Sequence, residues 1–143
     1  MKIAISGANG RMGKMLIEAV LQSNDMQLAA ALVRSGSGAI GTDAGAFLGQ
    51  DTGVLMTDDL GVLEQVDCLI DFTLPQGTLQ YLQACQQYGT RCVIGTTGFS
   101  NEERATIARA AEDIGIVFAP NMSIGVNITL KLIEVAAKLM QEG

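Results

Sequence analysis

The chain has 143 residues, of which 48% are hydrophobic and 17% are charged, and its formal net charge at neutral pH is −6. A chain of this size and composition is typical of one globular domain with a single core and not of a disordered protein. Because the basic residues are few and scattered, we exclude a nucleic-acid binder, and no apolar run is long enough to span a membrane.

The first part of the chain alternates between strand-like and helical patterns. Residues 2–6 form a short apolar strand close to the N-terminus, so no secretory signal is visible and we expect a cytoplasmic location. A glycine-rich loop follows, and apolar residues at helical spacing then predict a helix over 11–23. A strand over 27–33 leads into a long loop rich in Gly, Ser and Ala, residues 34–53.

The middle of the chain continues this alternation. A short edge strand is expected at 54–56 and a short helix at 60–65. Residues 67–72, DCLIDF, read as an apolar strand bounded by acids. Pro75 suits the first turn of the next helix, which we expect to end near Tyr88, because the missing N–H of proline is not needed there.

The last part predicts two more helices and two more strands. A strand over 91–94 ends in the sequence GTTG, and an S-x-x-E capping box at Ser100 begins a helix that ends near Gly115. Residues 116–119 form the last strand and 128–140 a final amphipathic helix. Short, fully apolar strands separated by helices predict an α/β fold, namely a doubly wound parallel sheet covered on both faces.

The loop after the first strand carries three glycines in the pattern G-x-x-G-x-x-G, Gly7, Gly10 and Gly13. Glycine permits a tight turn and lets the backbone approach a pyrophosphate, and the N-terminus of the following helix favours its negative charge. The alternative is a strand-to-helix turn that binds nothing. Because the loop follows the first strand and precedes a helix, we favour a Rossmann-type site that binds a dinucleotide phosphate.

The end of the second strand indicates which dinucleotide binds. Rossmann sites that select NAD usually place Asp or Glu there, to bind the ribose 2′-OH. This sequence instead has Arg34, with Ser35 and Ser37 close behind. A guanidinium suits a 2′-phosphate, so we predict NADPH as the cofactor, with NADH binding more weakly. The alternative is that Arg34 is a solvated loop residue.

Other residues that could carry chemistry do not form a catalytic set. The sequence has no histidine, and we predict no metal site. Three cysteines without CxxC spacing, Cys68, Cys85 and Cys92, predict buried reduced thiols. The Tyr-x-x-x-Lys pair of short-chain dehydrogenases is missing, since a cysteine stands four residues after each tyrosine. Asp67 and Asp71 flank one strand and are expected to anchor loops.

Four segments, GANGRMG, DFTLPQGT, VIGTTGFS and APNMSIGVN, occur in this order along the chain. Together they closely resemble the dihydrodipicolinate reductases of bacterial lysine biosynthesis. The resemblance implies an oxidoreductase that uses NAD(P)H to reduce 4-hydroxy-tetrahydrodipicolinate, a cyclic dicarboxylate, to tetrahydrodipicolinate. It also implies a cofactor-binding domain over residues 1–126 and a helix over 127–143 that leads to an α+β substrate domain absent from this chain. For the whole protein it implies a homotetramer.

The resemblance also implies a set of cofactor-binding residues. The pyrophosphate loop falls on Gly7, Ala8, Asn9, Gly10, Arg11 and Met12. The region near the nicotinamide ring falls on Thr73 and on Gly95, Thr96 and Thr97, whose backbone and hydroxyl groups hold the carboxamide. A second cofactor-facing stretch falls on Ala119, Pro120, Asn121 and Met122. No catalytic residue is expected here, because the family's histidine and lysine residues lie in the substrate domain.

Three positions depart from the pattern of some relatives. Val33 replaces a Glu that permits NADH use, Leu74 replaces an Arg near the cofactor, and Met122 replaces an aromatic residue. The first departure agrees with the preference for NADPH that Arg34 indicates. The alternative function is a free-standing NADPH-binding module with a regulatory or redox-sensing role.

Overall fold

The structure, a computed structural model, describes residues 1–119 and 121–141. Its six parallel strands form one sheet in the order β3-β2-β1-β4-β5-β6. The strands are β1 Lys2–Ser6, β2 Gln27–Leu32, β3 Met56–Thr57, β4 Cys68–Asp71, β5 Arg91–Ile94 and β6 Ile116–Phe118. The α-helices are α1 Arg11–Leu21, α2 Pro75–Tyr88, α3 Asn101–Ala110 and α4 Ile124–Gln141, and 3₁₀ helices cover Ala46–Leu48 and Leu60–Gln65. The predicted doubly wound α/β fold is confirmed.

The two faces of the sheet are buried by different helices. On one face, Ile3 and Ile5 of β1 belong to the same buried cluster as Ile17 of α1. On the other face, Ala4 of β1 belongs to a larger cluster that contains Leu82 of α2 and residues of α3. Alternate residues of β1 therefore point to opposite faces, as the pleat of a strand requires.

Local signals in the sequence place several helix ends correctly. Pro75 is the first residue of α2, and Gly89 follows its last turn with a positive φ of 70°, a conformation that favours glycine. The capping box at the start of α3 is present: Glu103 N–H donates to Ser100 Oγ at 3.2 Å, and Ser100 N–H donates to Glu103 Oε2 at 2.7 Å. These ends depend on neighbouring residues only, so the sequence suffices to predict them.

Several predicted boundaries differ from the structure by one or two residues, as at the end of α1, which is Leu21 and not residue 23. Three further differences concern α3, the edge strand β3 and α4. The third helix ends at Ala110, and residues 111–113 form a turn before Gly115. The edge strand is Met56–Thr57, because Leu55 forms an isolated antiparallel bridge with Asp43 and folds the preceding loop back. The last helix begins at Ile124, four residues earlier than predicted, after Ser123, whose side chain accepts from Val126 N–H at 3.4 Å.

The last helix, α4, has exposed side chains over residues 124–140. Several are large and apolar, among them Leu132, which is 65% exposed, and Leu139, which is 68% exposed. The expected division between residues 126 and 127 falls inside this helix and stays a prediction. Within the residues described, none of the helices has the length and apolar character needed to cross a membrane.

Candidate functional site

The strand order changes direction between β1 and β4, and the glycine loop leaves the sheet at this point. Ligands of such sheets bind beyond the carboxyl ends of the strands at this kind of switch point. Ala8 N–H donates to Leu32 O at 3.0 Å, which ties the loop to the end of β2. Gly10 N–H donates to Gly7 O at 2.8 Å, which closes the turn before α1.

No side chain caps the N-terminus of α1 among the residues described. Gly10 is the N-cap and offers no side chain, and the first turn contains no acidic residue. The first N–H groups of an α-helix have no partner within the helix, so they are free for an anion. Arg11 and Met12, the first two residues of α1, are both exposed there.

The glycines of this loop lie where a side chain would clash with the backbone or strain it, and the absence of side chains there leaves room for a phosphate group. A Cβ at Gly13 would lie 2.2 Å from Gly7 O, a distance that no side chain tolerates. A Cβ at Gly10 would lie 3.1 Å from the same oxygen, and Gly7 has a positive φ of 60°. Glycine at these positions lets α1 begin directly after the turn. The backbone N–H groups at the exposed start of α1 then leave space that suits a pyrophosphate.

A pocket of about 380 Å³ lies between the glycine loop, the end of β2 and the start of α2. Four of the predicted cofactor-binding residues line it: Gly7, Asn9, Arg34 and Thr73. Asn9 Nδ2 donates to Ser37 Oγ at 3.3 Å, which joins the glycine loop to the loop after β2. The guanidinium of Arg34 is exposed and forms no salt bridge with any residue in the described part of the chain.

Several residues that were not predicted to bind the cofactor also line the pocket, among them Asp58 and Tyr81. Asp58 follows β3, and it reaches the pocket because β3 lies beside β2 at the edge of the sheet. Tyr81 comes from α2; burial raises the pKa of its phenol, and the negative charge of Asp71 raises it further. Neither residue belongs to a motif, so only the strand order and the helix packing could have indicated them.

Asp71, the last residue of β4, connects the elements around the site. Its side chain is fully buried. Oδ1 accepts hydrogen bonds from Ser6 Oγ and from Thr73 Oγ1 at 2.7 Å. Oδ2 accepts from Thr78 Oγ1 and from Thr96 Oγ1 at 3.1 Å. One carboxylate thus joins the ends of β1, β4 and β5 to the first turns of α2.

The two acids that flank β4 are both anchors, as predicted. Asp67 Oδ2 accepts from Lys2 N–H at 2.6 Å at the amino end of the sheet, where it is exposed. Asp71 anchors the loops at the carboxyl end. The sequence analysis did not predict that Asp71 would be buried or that four hydroxyl groups would contact it.

The loop GTTG follows β5, and the structure gives its residues different surroundings. Thr96 is buried and its hydroxyl contacts Asp71 and Thr78, so the expected contact between this hydroxyl and the carboxamide stays a prediction. Thr97 is exposed. A Cβ at Gly95 would lie 2.1 Å from the ring of Phe72, so side-chain packing alone requires glycine there.

Ala119, Asn121 and Met122, the described residues of the third predicted stretch, do not line the pocket described above. Ala119 is half-buried and its N–H donates to Ile94 O at 3.4 Å. Asn121 Oδ1 accepts from Ser123 N–H at 3.0 Å, and Met122 is 38% exposed. Pro120 lies outside the described residues. The roles of these four residues stay predictions.

All three cysteines are buried and free, as the sequence predicts. Burial raises the pKa of the Cys68 thiol. A hydrogen bond to Cys85, together with burial, raises the pKa of the Cys92 thiol strongly. A raised pKa makes a thiol a poor nucleophile, so Cys68 and Cys92 serve as core residues, and Cys85 belongs to the same buried cluster as Cys92.

Residues 1–122 match the family model for the N-terminus of dihydrodipicolinate reductase. The chain is 60% identical over 142 residues to the 4-hydroxy-tetrahydrodipicolinate reductase of Bordetella pertussis, covering 99% of this chain and 53% of that protein. It is 59% identical over 144 residues to the enzyme of the same name from Burkholderia multivorans, covering 100% of this chain and 54% of that protein. The chain therefore spans about half the length of the curated relatives it matches.

Solved structures show the same likeness. The dipicolinate-bound dihydrodipicolinate reductase of Paenisporosarcina sp. TG-14 superposes with a TM-score of 0.76 at 28% identity, covering 96% of this chain and 53% of that one. An amine dehydrogenase from Mycobacterium smegmatis superposes with a TM-score of 0.66 at 24% identity, covering 81% of this chain and 37% of that one. The second likeness shows a shared fold only.

Proposed function

The chain belongs to the dihydrodipicolinate reductase family, and on that premise we propose that it is the cofactor-binding part of an NAD(P)H-dependent reductase. The proposed reaction is the reduction of 4-hydroxy-tetrahydrodipicolinate to tetrahydrodipicolinate in lysine and diaminopimelate biosynthesis. The observation that carries the proposal is the open N-terminus of α1, which the glycine loop places at the switch point of the sheet. An open helix N-terminus at this place suits the pyrophosphate of a dinucleotide.

The task of these residues is binding and orientation. The bound nicotinamide would supply the hydride, which no side chain can supply. The backbone N–H groups at the start of α1, beside Arg11, would hold the pyrophosphate, and the pocket lined by Asn9 and Arg34 would hold the adenosine half. Thr73 and the backbone of the loop that contains Thr97 would orient the nicotinamide half.

The proposed cofactor is NADPH, with weaker binding of NADH. Arg34 supports this choice because it is exposed, lines the pocket and forms no salt bridge among residues 1–119 and 121–141. Ser35 lines the same pocket and provides a second polar group next to Arg34. Asp58 lines the pocket as well and would repel a phosphate, so the 2′-phosphate is proposed to lie on the Arg34 side.

The proposed substrate is a small cyclic dicarboxylate. The Paenisporosarcina relative was solved with dipicolinate bound, which supports a ligand of this class. Substrate binding and proton transfer are proposed to belong to the half of the relatives that this chain does not match. A homotetramer for the whole protein and a cytoplasmic location stay predictions.

The experiment that tests this proposal is a calorimetric titration of the chain with NADPH and with NADH, at low and at moderate salt. We expect NADPH to bind more tightly, with a difference that shrinks as salt rises, because a contact between an exposed guanidinium and a phosphate is screened. Equal affinity for both would contradict the role of Arg34 and leave the family unaffected. A chain that folds cooperatively yet binds neither dinucleotide would overturn the proposed function.

A further inference from the structure

Among the residues described, the buried carboxyl group of Asp71 has no cationic partner. All four groups that contact its carboxylate are hydroxyls. The salt bridges present within residues 1–119 and 121–141 join only lysines of α4 to Glu134. A carboxylate has about four acceptor positions, and the four hydroxyls fill all of them. One buried carboxyl group is thus held in a fixed place at the carboxyl edge of the sheet.

Asp71 ends β4, and this position indicates which half of the proposed dinucleotide site its carboxylate would affect. The glycine loop follows β1, and Arg34, which follows β2, marks the end of the pocket proposed for the adenosine half. In sheets with this strand order, a dinucleotide crosses the carboxyl edge at the switch point. On the proposed function, the other half, which contains the nicotinamide, would lie towards the ends of β4 and β5, near Asp71 and Thr96.

We propose that Asp71 is a positioning residue whose negative charge makes the site favour the oxidised form of the cofactor over the reduced form. This inference rests on the proposed function. The nicotinamide ring carries a positive charge when it is oxidised and none when it is reduced. A buried anion near the ring would stabilise the charged form and not the neutral form, and because the anion is buried, salt would screen the interaction little.

The hydroxyl groups fix the charge in place. Ser6 comes from β1, Thr73 from the loop after β4, Thr78 from α2 and Thr96 from the loop after β5. A charge held by four separate elements needs no reorganisation when the ring becomes positive, which is the condition for effective electrostatic stabilisation.

The same hydroxyls make a clean test possible. Each hydroxyl both donates and accepts, so an Asn at this position accepts from two of them and donates to the other two. Asp71→Asn therefore removes the charge and keeps the shape and the hydrogen bonds.

The test measures the dissociation constants of NADP⁺ and NADPH for the chain and its variants by titration calorimetry, after urea unfolding has shown that each variant folds. In Asp71→Asn, we expect NADP⁺ binding to weaken about ten-fold and NADPH binding to stay within about two-fold. Asp67→Asn removes the exposed carboxylate at the other end of β4 and should change neither constant. Thr73→Val removes a hydroxyl without removing charge and should weaken both forms by the same factor.

The outcomes separate this inference from the proposed function. If Asp71→Asn weakened both forms equally, Asp71 would be a structural residue only, and the inference alone would fail. If the wild-type chain bound neither form, the proposed function would fail and the inference with it. If Asp71→Asn did not fold, Asp71→Ser would replace it, because serine is neutral, keeps one hydroxyl and leaves room for water; the same ratio is expected.

Discussion

At the scale of single residues, Arg34 is the side chain on which the choice of cofactor depends. It follows β2, is exposed and lines the pocket beside Asn9. Arg34→Glu exchanges attraction to a 2′-phosphate for repulsion and offers a carboxylate to a ribose hydroxyl. We expect the ratio of NADPH to NADH affinity to fall at least about ten-fold and the preference to reverse. Fluorescence titration with each dinucleotide measures this ratio.

The control for Arg34→Glu is Arg109→Glu. Arg109 is also exposed, but it lies on α3 and donates to Thr106 Oγ1 at 3.0 Å, with no contact to the pocket. The same change of charge there should leave the ratio unaltered. A similar loss of NADPH affinity in both variants would mean that overall charge, and not a local contact, governs binding.

At the scale of elements, Asp43 organises the long loop between β2 and β3. Its carboxylate accepts from Gly45 N–H at 2.7 Å, from Gly53 N–H at 2.9 Å and from both donors of Thr52. Burial alone raises the pKa of Asp43, but these hydrogen bonds outweigh it and lower the pKa from 3.8 to about 2. The loop is thus closed by one ionised side chain.

The pH dependence of stability tests this arrangement. A pKa that is lower in the folded state stabilises the fold above the unfolded value of 3.8, and this contribution is lost as pH falls from there towards about 2. We expect wild type to be more stable than Asp43→Asn at pH 6, with a difference that shrinks below about pH 4. Urea unfolding of both proteins over this range measures it.

Glu64→Gln is the control for this pH series. Glu64 is exposed on the 3₁₀ helix Leu60–Gln65, and no hydrogen bond to its side chain occurs within the part of the chain that is described. Its removal should change the free energy of unfolding little at either end of the range. A difference between wild type and Asp43→Asn that is the same at every pH would contradict the role given to the carboxylate.

At the scale of the whole molecule, α4 leaves a large apolar surface uncovered. Leu132 and Leu139 are seven residues apart, so they lie on one face of the helix, and both are more than half exposed. Exposed apolar patches of this kind promote association. We expect the chain to self-associate as its concentration rises, and the pair Leu132→Lys and Leu139→Lys to abolish this in sedimentation velocity experiments.

A matched pair controls for added charge. Asn127→Lys with Thr129→Lys adds two positive charges to the same helix and keeps every apolar side chain, so association should persist. Loss of association in both pairs would attribute the effect to net charge and not to the apolar face of α4.

The sequence by itself determined the features of this protein that depend on near neighbours. The order of strands and helices follows from hydrophobic periodicity, and the ends of α2 and α3 follow from Pro75, Gly89 and the capping box at Ser100. The turn of the glycine loop and the steric limits at Gly10 and Gly13 are equally local, because they involve residues 7–13, while the hydrogen bond from Ala8 N–H to Leu32 O is not local. Apart from that bond, each of these features depends on residues that are close together in the sequence.

Only the tertiary structure decided what lies around the glycine loop. The hydroxyls that contact Asp71 come from residues as far apart as Ser6 and Thr96, and Asp58 reaches the pocket because β3 pairs with β2. The hydrophobic pattern of a sequence indicates where a strand lies. It does not indicate which strands pair with it or where the side chains that follow the strand point. Those depend on the order in which strands pair, which is fixed by packing over the whole sheet.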